Sequence, residues 1–325
     1  MRSIYFKDGN ITWIDREMPE LEKGEALLRV VVAGICNTDI ELFRGYYGFE
    51  GVPGHEFVAV VEHCVERPEL IGKRVVADIN APVGEYTGDR RHVPDRKVIG
   101  IVNHDGAFAQ YLKAPADNLY VVPDSVADND AVFTEPLAAG LEVSQQVHIT
   151  GDMRIMVLGD GKLGLLTALA LKMYNPQVLL VGKHRDKLAI ASEQGVKTHC
   201  IKEPKDLGLL ADEWEKFDLV VEATGSEDGL NYAIDFLRPE GTVVAKTTSH
   251  KPTSLNLAKV VVDEITIIGS RCGDIGLALS VLEQGRIDVT GLIEAEYDFA
   301  DFVDAFDHAM KKGAKKVLVK MQTPV

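Results

Sequence analysis

The sequence predicts an α/β protein in two parts, and three observations carry that reading. A chain of 325 residues exceeds one ordinary core and points to about two domains. Residues 1 to about 125 are rich in β-branched and aromatic runs bounded by Gly and Pro, the pattern of an irregular, barrel-like β domain. From about residue 153 strand-like and helix-like segments alternate, which is the signature of βαβ units around a parallel sheet.

Taken in order, EALLRVVVAGI, HEFVAVVEHC, GKRVVAD and GAFAQYLKAP read as strands of the first part. The character changes after VVPDSVADNDAVFTEPLAAGLEVSQQV, where Pro136 suits the first turn of a helix. RIMVLG then reads as a strand, KLGLLTALALKMY as a helix, QVLLVG as a strand and RDKLAIASEQG as a helix. FDLVVEATG, GLNYAIDFLRPEG and GTVVAK continue the alternation. From about residue 271 come two helical stretches, IGLALSVLEQGRI and FADFVDAFDHAMKKG, and a final strand-like KKVLVKM. No internal repeat, low-complexity tract or long linker interrupts them.

Composition narrows the function classes. Hydrophobic residues at 46% and charged residues at 26% are those of a soluble globular protein. A net charge of −15 argues against nucleic acid and against an anionic membrane surface. Apolar runs such as LLRVVVAGI are too short and interrupted to span a bilayer, and MRSIYFKDGN lacks a secretory pattern. Four cysteines without a CxxC pair (Cys36, Cys64, Cys200 and Cys272) make no disulfide framework, so a reducing cytoplasm is the expected setting.

VLGDGKLG holds Gly159, Gly161 and Gly164 in G-x-G-x-x-G spacing, between a strand and a helix. Gly159 permits a tight turn, Gly161 lets the backbone approach a pyrophosphate, and Gly164 lets the helix pack on the sheet. Lys162 and Leu163 open that helix, whose first N–H groups suit a diphosphate. The next strand ends at Gly182, 21 residues past Gly161, where NAD sites usually carry Asp or Glu for the ribose hydroxyl. Gly182, Lys183, His184 and Arg185 stand there instead. Without a strand-end acid, and with Lys183 and Arg185 able to pair with a 2′-phosphate, NADP(H) is expected ahead of NAD(H). The same two cations also read as a solvated cap on the following helix.

A second constellation suits a metal. Zinc takes thiolate, imidazole and carboxylate ligands, and Cys36 and His55 lie 19 residues apart with Glu56 directly after. Adjacent side chains of an ideal strand face opposite ways, so His55 and Glu56 can share one ion only from a turn, which Gly54 permits. Glu135, where the β part gives way to the alternating part, offers a further carboxylate. Taken from the residues alone, Cys36 reads as well as a small buried hydrophobe. His63 and Cys64, in mid-strand, are structural on this reading, and Cys200, Cys272, His92, His104 and His308 are set aside.

The pieces GICNTD, PGHEFVAVVE, GKRVV, DGAFAQY, TEPLAAG and VLGDGKLG, in this order over nearly the whole chain, resemble the medium-chain dehydrogenase/reductase family, in its zinc-dependent alcohol, polyol and glucose branch. The resemblance implies a GroES-like irregular β-barrel catalytic domain (1–135), a Rossmann doubly wound parallel sheet binding NAD(P) (136–270), and a C-terminal segment (271–325) completing the first domain. It implies one catalytic zinc per chain held by Cys36 and His55, with Glu56 and Glu135 as ligands or close partners. It also implies a cation near the pyrophosphate, for which Lys315 matches the position, and a homodimer or homotetramer. Two departures stand out. DINAPVGEYTGDRRHVPDRKVIGI lacks the four cysteines of the family's structural zinc, so that ion is expected to be absent. Glu41 stands where liver-type members place a proton-relaying histidine.

The expected chemistry is hydride transfer between an alcohol, polyol or sugar hydroxyl and NAD(P). Thr38 is placed to take the hydroxyl proton and Asp39 to orient His55. The alternatives are a zinc-free NADPH-dependent quinone or enone reductase of the same superfamily, and a non-catalytic nucleotide-binding protein.

Overall fold

The computed structural model describes residues 1–82, 88–248 and 253–321. The chain forms two compact units. The first holds Met1–Glu135, Ile275–Gly285 and Val289–Val325, and the second Pro136–Asp274 and Arg286–Asp288.

The first unit is built on a seven-stranded sheet. Its order runs Ile293–Asp298, Lys316–Lys320, Glu25–Gly34, Glu56–Cys64, Arg74–Ala77 and Leu119–Val121, with Tyr111–Pro115 also pairing Glu25–Gly34. Strand Glu25–Gly34 alternates buried and half-buried residues along EALLRVVV, so one face packs inward. The C-terminal strand Lys316–Lys320 pairs antiparallel with its end, Leu318 opposite Gly34 and Lys320 opposite Val32. That pairing brings strand Lys316–Lys320 beside the segment that precedes Cys36. Of the cysteine-free lobe, residues 83–87 lie outside the described residues.

The second unit is a six-stranded parallel sheet in the order Lys197–Cys200, Val178–Gly182, Ile155–Leu158, Phe217–Glu222, Leu237–Ala245 and Thr266–Gly269. Ile155–Leu158 is fully buried, as a central parallel strand covered on both faces must be. Met156, Leu158, Val181, Val220 and Val243 share one core with Leu207, Ala233, Ile234 and Phe236. Among the described residues no helix is long and apolar enough to cross a membrane.

Candidate metal centre and dinucleotide turn

Strand Glu25–Gly34 ends in Ile35, and Cys36 then caps the short helix Asn37–Phe43. The Cys36 backbone N–H donates to Asp39 Oδ2 at 2.8 Å, which closes the first turn and fixes the direction of the thiol. His55 lies just before strand Glu56–Cys64, after Gly54 at φ +100°. A side chain at Gly54 would meet the Phe108 ring and backbone at 2.8 to 3.0 Å, so the turn that frees His55 from strand alternation requires glycine twice over.

These devices gather one ligand atom each from Cys36, His55 and Glu56 within 4.8 Å of one another. Cys36 is half-buried, His55 is 4% exposed and Glu56 1%. His55 Nδ1 lies 3.3 Å from Asp39 Oδ1, which leaves Nε2 as the nitrogen for a ligand. Burial alone would lower the His55 pKa, but the charges of Asp39 and then Cys36 outweigh it and raise it well above the usual value. Asp39 Oδ1, His55 Nδ1 and Glu56 Oε1 are buried without a hydrogen-bond partner among the described residues. A buried carboxylate oxygen left unpaired costs about 1–3 kcal/mol or more. A divalent ion at this triplet would satisfy Glu56 Oε1, so the residues fit the group.

The other oxygen of Glu56 is taken by Lys316, whose amine is fully buried and pairs with Oε2. Burial opposes the charge on Lys316, but Glu56 and Cys36 together raise its pKa. Gly34 makes room for this pair, since a Cβ there would sit 2.9 Å from Glu56 Oε2 and 3.1 Å from Lys316 Cδ. Glu135, in the first turn of helix Thr134–Gln146, stands outside the triplet. Burial raises its pKa to about 7, with Glu56 adding to the rise and His55 opposing it. Thr38 Oγ1 lies 3.8 Å from Cys36 Sγ. Glu41 accepts from Arg44 at 2.8 Å. His63 is exposed while Cys64 is buried, as expected for neighbours on one strand.

In the second unit the glycine-rich turn follows strand Ile155–Leu158. Gly159 adopts φ +117°, Gly161 caps helix Lys162–Lys172, and a Cβ on Gly164 would fall 2.0 Å from the Gly159 oxygen. The helix therefore starts pressed against the turn, with the N–H groups of Lys162 and Leu163 in its first turn. Lys183 and Arg185 are exposed, flanking His184, the cap of helix Arg185–Glu193. Lys315 donates its backbone N–H to Glu294 at 2.6 Å and its amine to the Gly291 oxygen at 3.2 Å, all within the first unit.

Three residues escaped the sequence reading. Lys316 gave one signal, a lysine opening an apolar strand. Gly34 gave none beyond ending a strand. Asp160 stood between the two glycines of GDG, a carboxylate inside a turn meant for phosphate; it is 7% exposed and accepts from the backbone N–H of Lys183 and of His184 at 2.6 Å each.

The alcohol dehydrogenase GroES-like domain family matches residues 22–124, and the zinc-binding dehydrogenase family matches residues 163–286. The chain is 28% identical over 330 residues to the D-arabitol-phosphate dehydrogenase of Enterococcus avium, covering 95% of this chain and 94% of that one. It is 28% identical over 336 residues to the sorbitol dehydrogenase of Halalkalibacterium halodurans, covering 98% and 96%. The crystal structure of the alcohol dehydrogenase rspB from Escherichia coli CFT073, solved with NADH, superposes with a TM-score of 0.90 at 26% identity, over 98% of this chain and 99% of that one. With a thiolate–imidazole–carboxylate triplet in one unit and a glycine-rich turn on a parallel sheet in the other, the chain belongs to the zinc-type medium-chain dehydrogenase/reductase family, the alcohol and polyol dehydrogenases that work with a nicotinamide cofactor.

Proposed function

We propose that this protein is a zinc-dependent dehydrogenase that moves a hydride between a hydroxyl of a polyol or sugar, or the matching carbonyl, and NAD(P). The observation that carries the reading is the Cys36–His55–Glu56 triplet, with a buried Glu56 oxygen that has no hydrogen-bond partner among the described residues. When bound, zinc supplies Lewis acidity that makes a hydroxyl easier to deprotonate, and the nicotinamide supplies the hydride acceptor.

The chain's own residues do the rest. Cys36 and His55 hold the ion, with Glu56 or Glu135 as the carboxylate beside it. Asp39 fixes the His55 tautomer and ring. Lys316 pairs with Glu56 Oε2 and offsets the charge of that buried carboxylate. Thr38, within reach of the Cys36 sulfur, takes the hydroxyl proton and passes it outward. Gly159, Gly161, Lys162, Leu163 and Gly164 cradle the pyrophosphate, with Gly182, Lys183 and Arg185 at the adenosine ribose and Lys315 as a further cation. The exposed cations Lys183 and Arg185 support NADP(H); Asp160 favours a second reading, NAD(H).

Two further readings belong here. The protein is a homodimer or homotetramer, supported by an apolar edge in the second unit: strand Thr266–Gly269 ends its sheet, and Leu257, Val261, Val262 and Ile267 are 62%, 66%, 79% and 38% exposed. A cytoplasmic setting is supported by four cysteines that form no disulfide among the described residues, one of them a ligand candidate.

The test is a screen of alcohols, polyols, polyol phosphates and aldoses with NAD+ and NADP+, read by nicotinamide absorbance. Turnover on polyols or sugars that disappears with a chelator and returns with zinc is the expected result. Turnover confined to quinones or enones, unaffected by the chelator, would favour the zinc-free reductase. Cofactor binding without turnover on any of them would favour a nucleotide sensor.

A further inference from the structure

We propose that Asp160 selects the dinucleotide: its carboxylate stands in for the acid that strand Val178–Gly182 lacks at its end, accepts the adenosine ribose hydroxyl, and makes NAD(H) the preferred form. The inference rests on the dehydrogenase reading and runs against the NADP(H) expectation drawn from Lys183 and Arg185.

The geometry at Gly182 carries the argument. In dinucleotide folds of this kind the ribose is read by an acidic side chain at the end of the second strand, about 20 residues past the turn. Gly182 ends that strand here, and a Cβ built on it would fall 2.4 Å from Asp160 Cβ and 2.5 Å from its Cγ and Oδ2. The space a side chain at 182 would enter is filled by the side chain of Asp160. The carboxylate has been moved from the strand to the turn, and glycine at 182 is the consequence.

Asp160 is also held in place. Its Oδ2 accepts from the backbone N–H groups of Lys183 and His184 at 2.6 Å, and the His184 Nδ1 lies 3.1 Å from both oxygens. A carboxylate offers about four acceptor positions, so Oδ1 keeps capacity for a hydroxyl donor. A 2′-phosphate has no donor to offer it. It would need N–H groups that Asp160 already uses, and it would meet a fixed negative charge. Lys183 and Arg185 oppose that repulsion only as exposed cations in screened water.

The test is direct titration of the purified protein with NADH and with NADPH, followed by nicotinamide fluorescence. The wild type is expected to bind NADH at least about tenfold more tightly, the factor a hydrogen bond to a charged group sustains. Asp160→Asn should lose most of that ratio. The double change Asp160→Gly with Gly182→Asp, which returns the carboxylate to the strand, should restore it, and carries the test if the single variant fails to fold. A wild type that binds NADPH as tightly as NADH, or a folded Asp160→Asn with an unchanged ratio, would overturn the proposal. Binding of neither dinucleotide would overturn the dehydrogenase reading and this inference with it.

Discussion

The metal centre and the dinucleotide turn both hold negative charge away from water, but they balance it differently. At the metal centre, side chains balance side chains: Glu56 faces Lys316, and Asp39 faces His55, all nearly or fully buried. At the turn, backbone N–H groups answer the Asp160 carboxylate, and helix Lys162–Lys172 starts beside it. Backbone donors survive any single substitution except proline, whereas a side-chain partner disappears with its residue. The candidate metal centre should therefore be brittle to point changes, and the fold of the turn sensitive chiefly to steric ones, with the charge of Asp160 bearing on dinucleotide choice.

The largest effect is expected at Cys36. Cys36→Ala should reduce zinc content and turnover to background while leaving dinucleotide affinity intact, since the glycine-rich turn belongs to the other unit. Parental turnover in that variant would remove Cys36 from the centre. Next comes Lys316→Met, which strands a buried carboxylate. Urea denaturation of the chelated protein should show a loss of about 3–5 kcal/mol. Pairing it with Glu56→Gln should recover much of the loss, and a single change that is silent would mean the pair carries little. Gly164→Ala should cost about 1–3 kcal/mol and weaken both dinucleotides alike, because its methyl would meet the Gly159 oxygen at 2.0 Å. A shift confined to zinc affinity would break the contrast between the two regions.

The smallest effect serves as the exposed control. Asp89 accepts from Arg91 at 2.8 Å and, chiefly through that bond, has a pKa lowered to about 2. A folded-state pKa below the unfolded one means its stabilisation is present above about pH 4 and lost as the pH falls towards 2. The Asp89 side chain is 39% exposed, so screening leaves well under about 1 kcal/mol. Asp89→Asn melts compared at pH 7 and pH 2 should show the larger difference from wild type at the higher pH, and only a slight one.

Much of this was legible in the sequence, for physical reasons. Gly54 before His55 announced a turn, and the turn lets two adjacent residues bring ligand atoms to one cluster with Cys36. The buried runs RIMVLG and FDLVVEATG announced parallel strands. Strand Lys197–Cys200 escaped because KTHC is a polar sheet edge, half-buried or exposed throughout, with no alternation to read. Helix Asp206–Glu213 escaped because DLGLLADE is short and carries a glycine. The Glu56–Lys316 pair joins residues 260 positions apart, and no local pattern encodes it. The resemblance pointed to Lys315 as a cation for the pyrophosphate and carried no signal for Lys316, which opens the strand whose Leu318 pairs with Gly34. Asp160 was overlooked because the ribose rule looks for its acid at the strand end, where Gly182 yields the space.

The most direct measurement is the zinc content of freshly purified, chelator-free protein, by mass spectrometry of the metal. One zinc ion per chain in the wild type, none in Cys36→Ala, and the same dinucleotide affinity in both is the predicted result. A wild type with little or no zinc that still oxidises polyols at full rate would contradict the account.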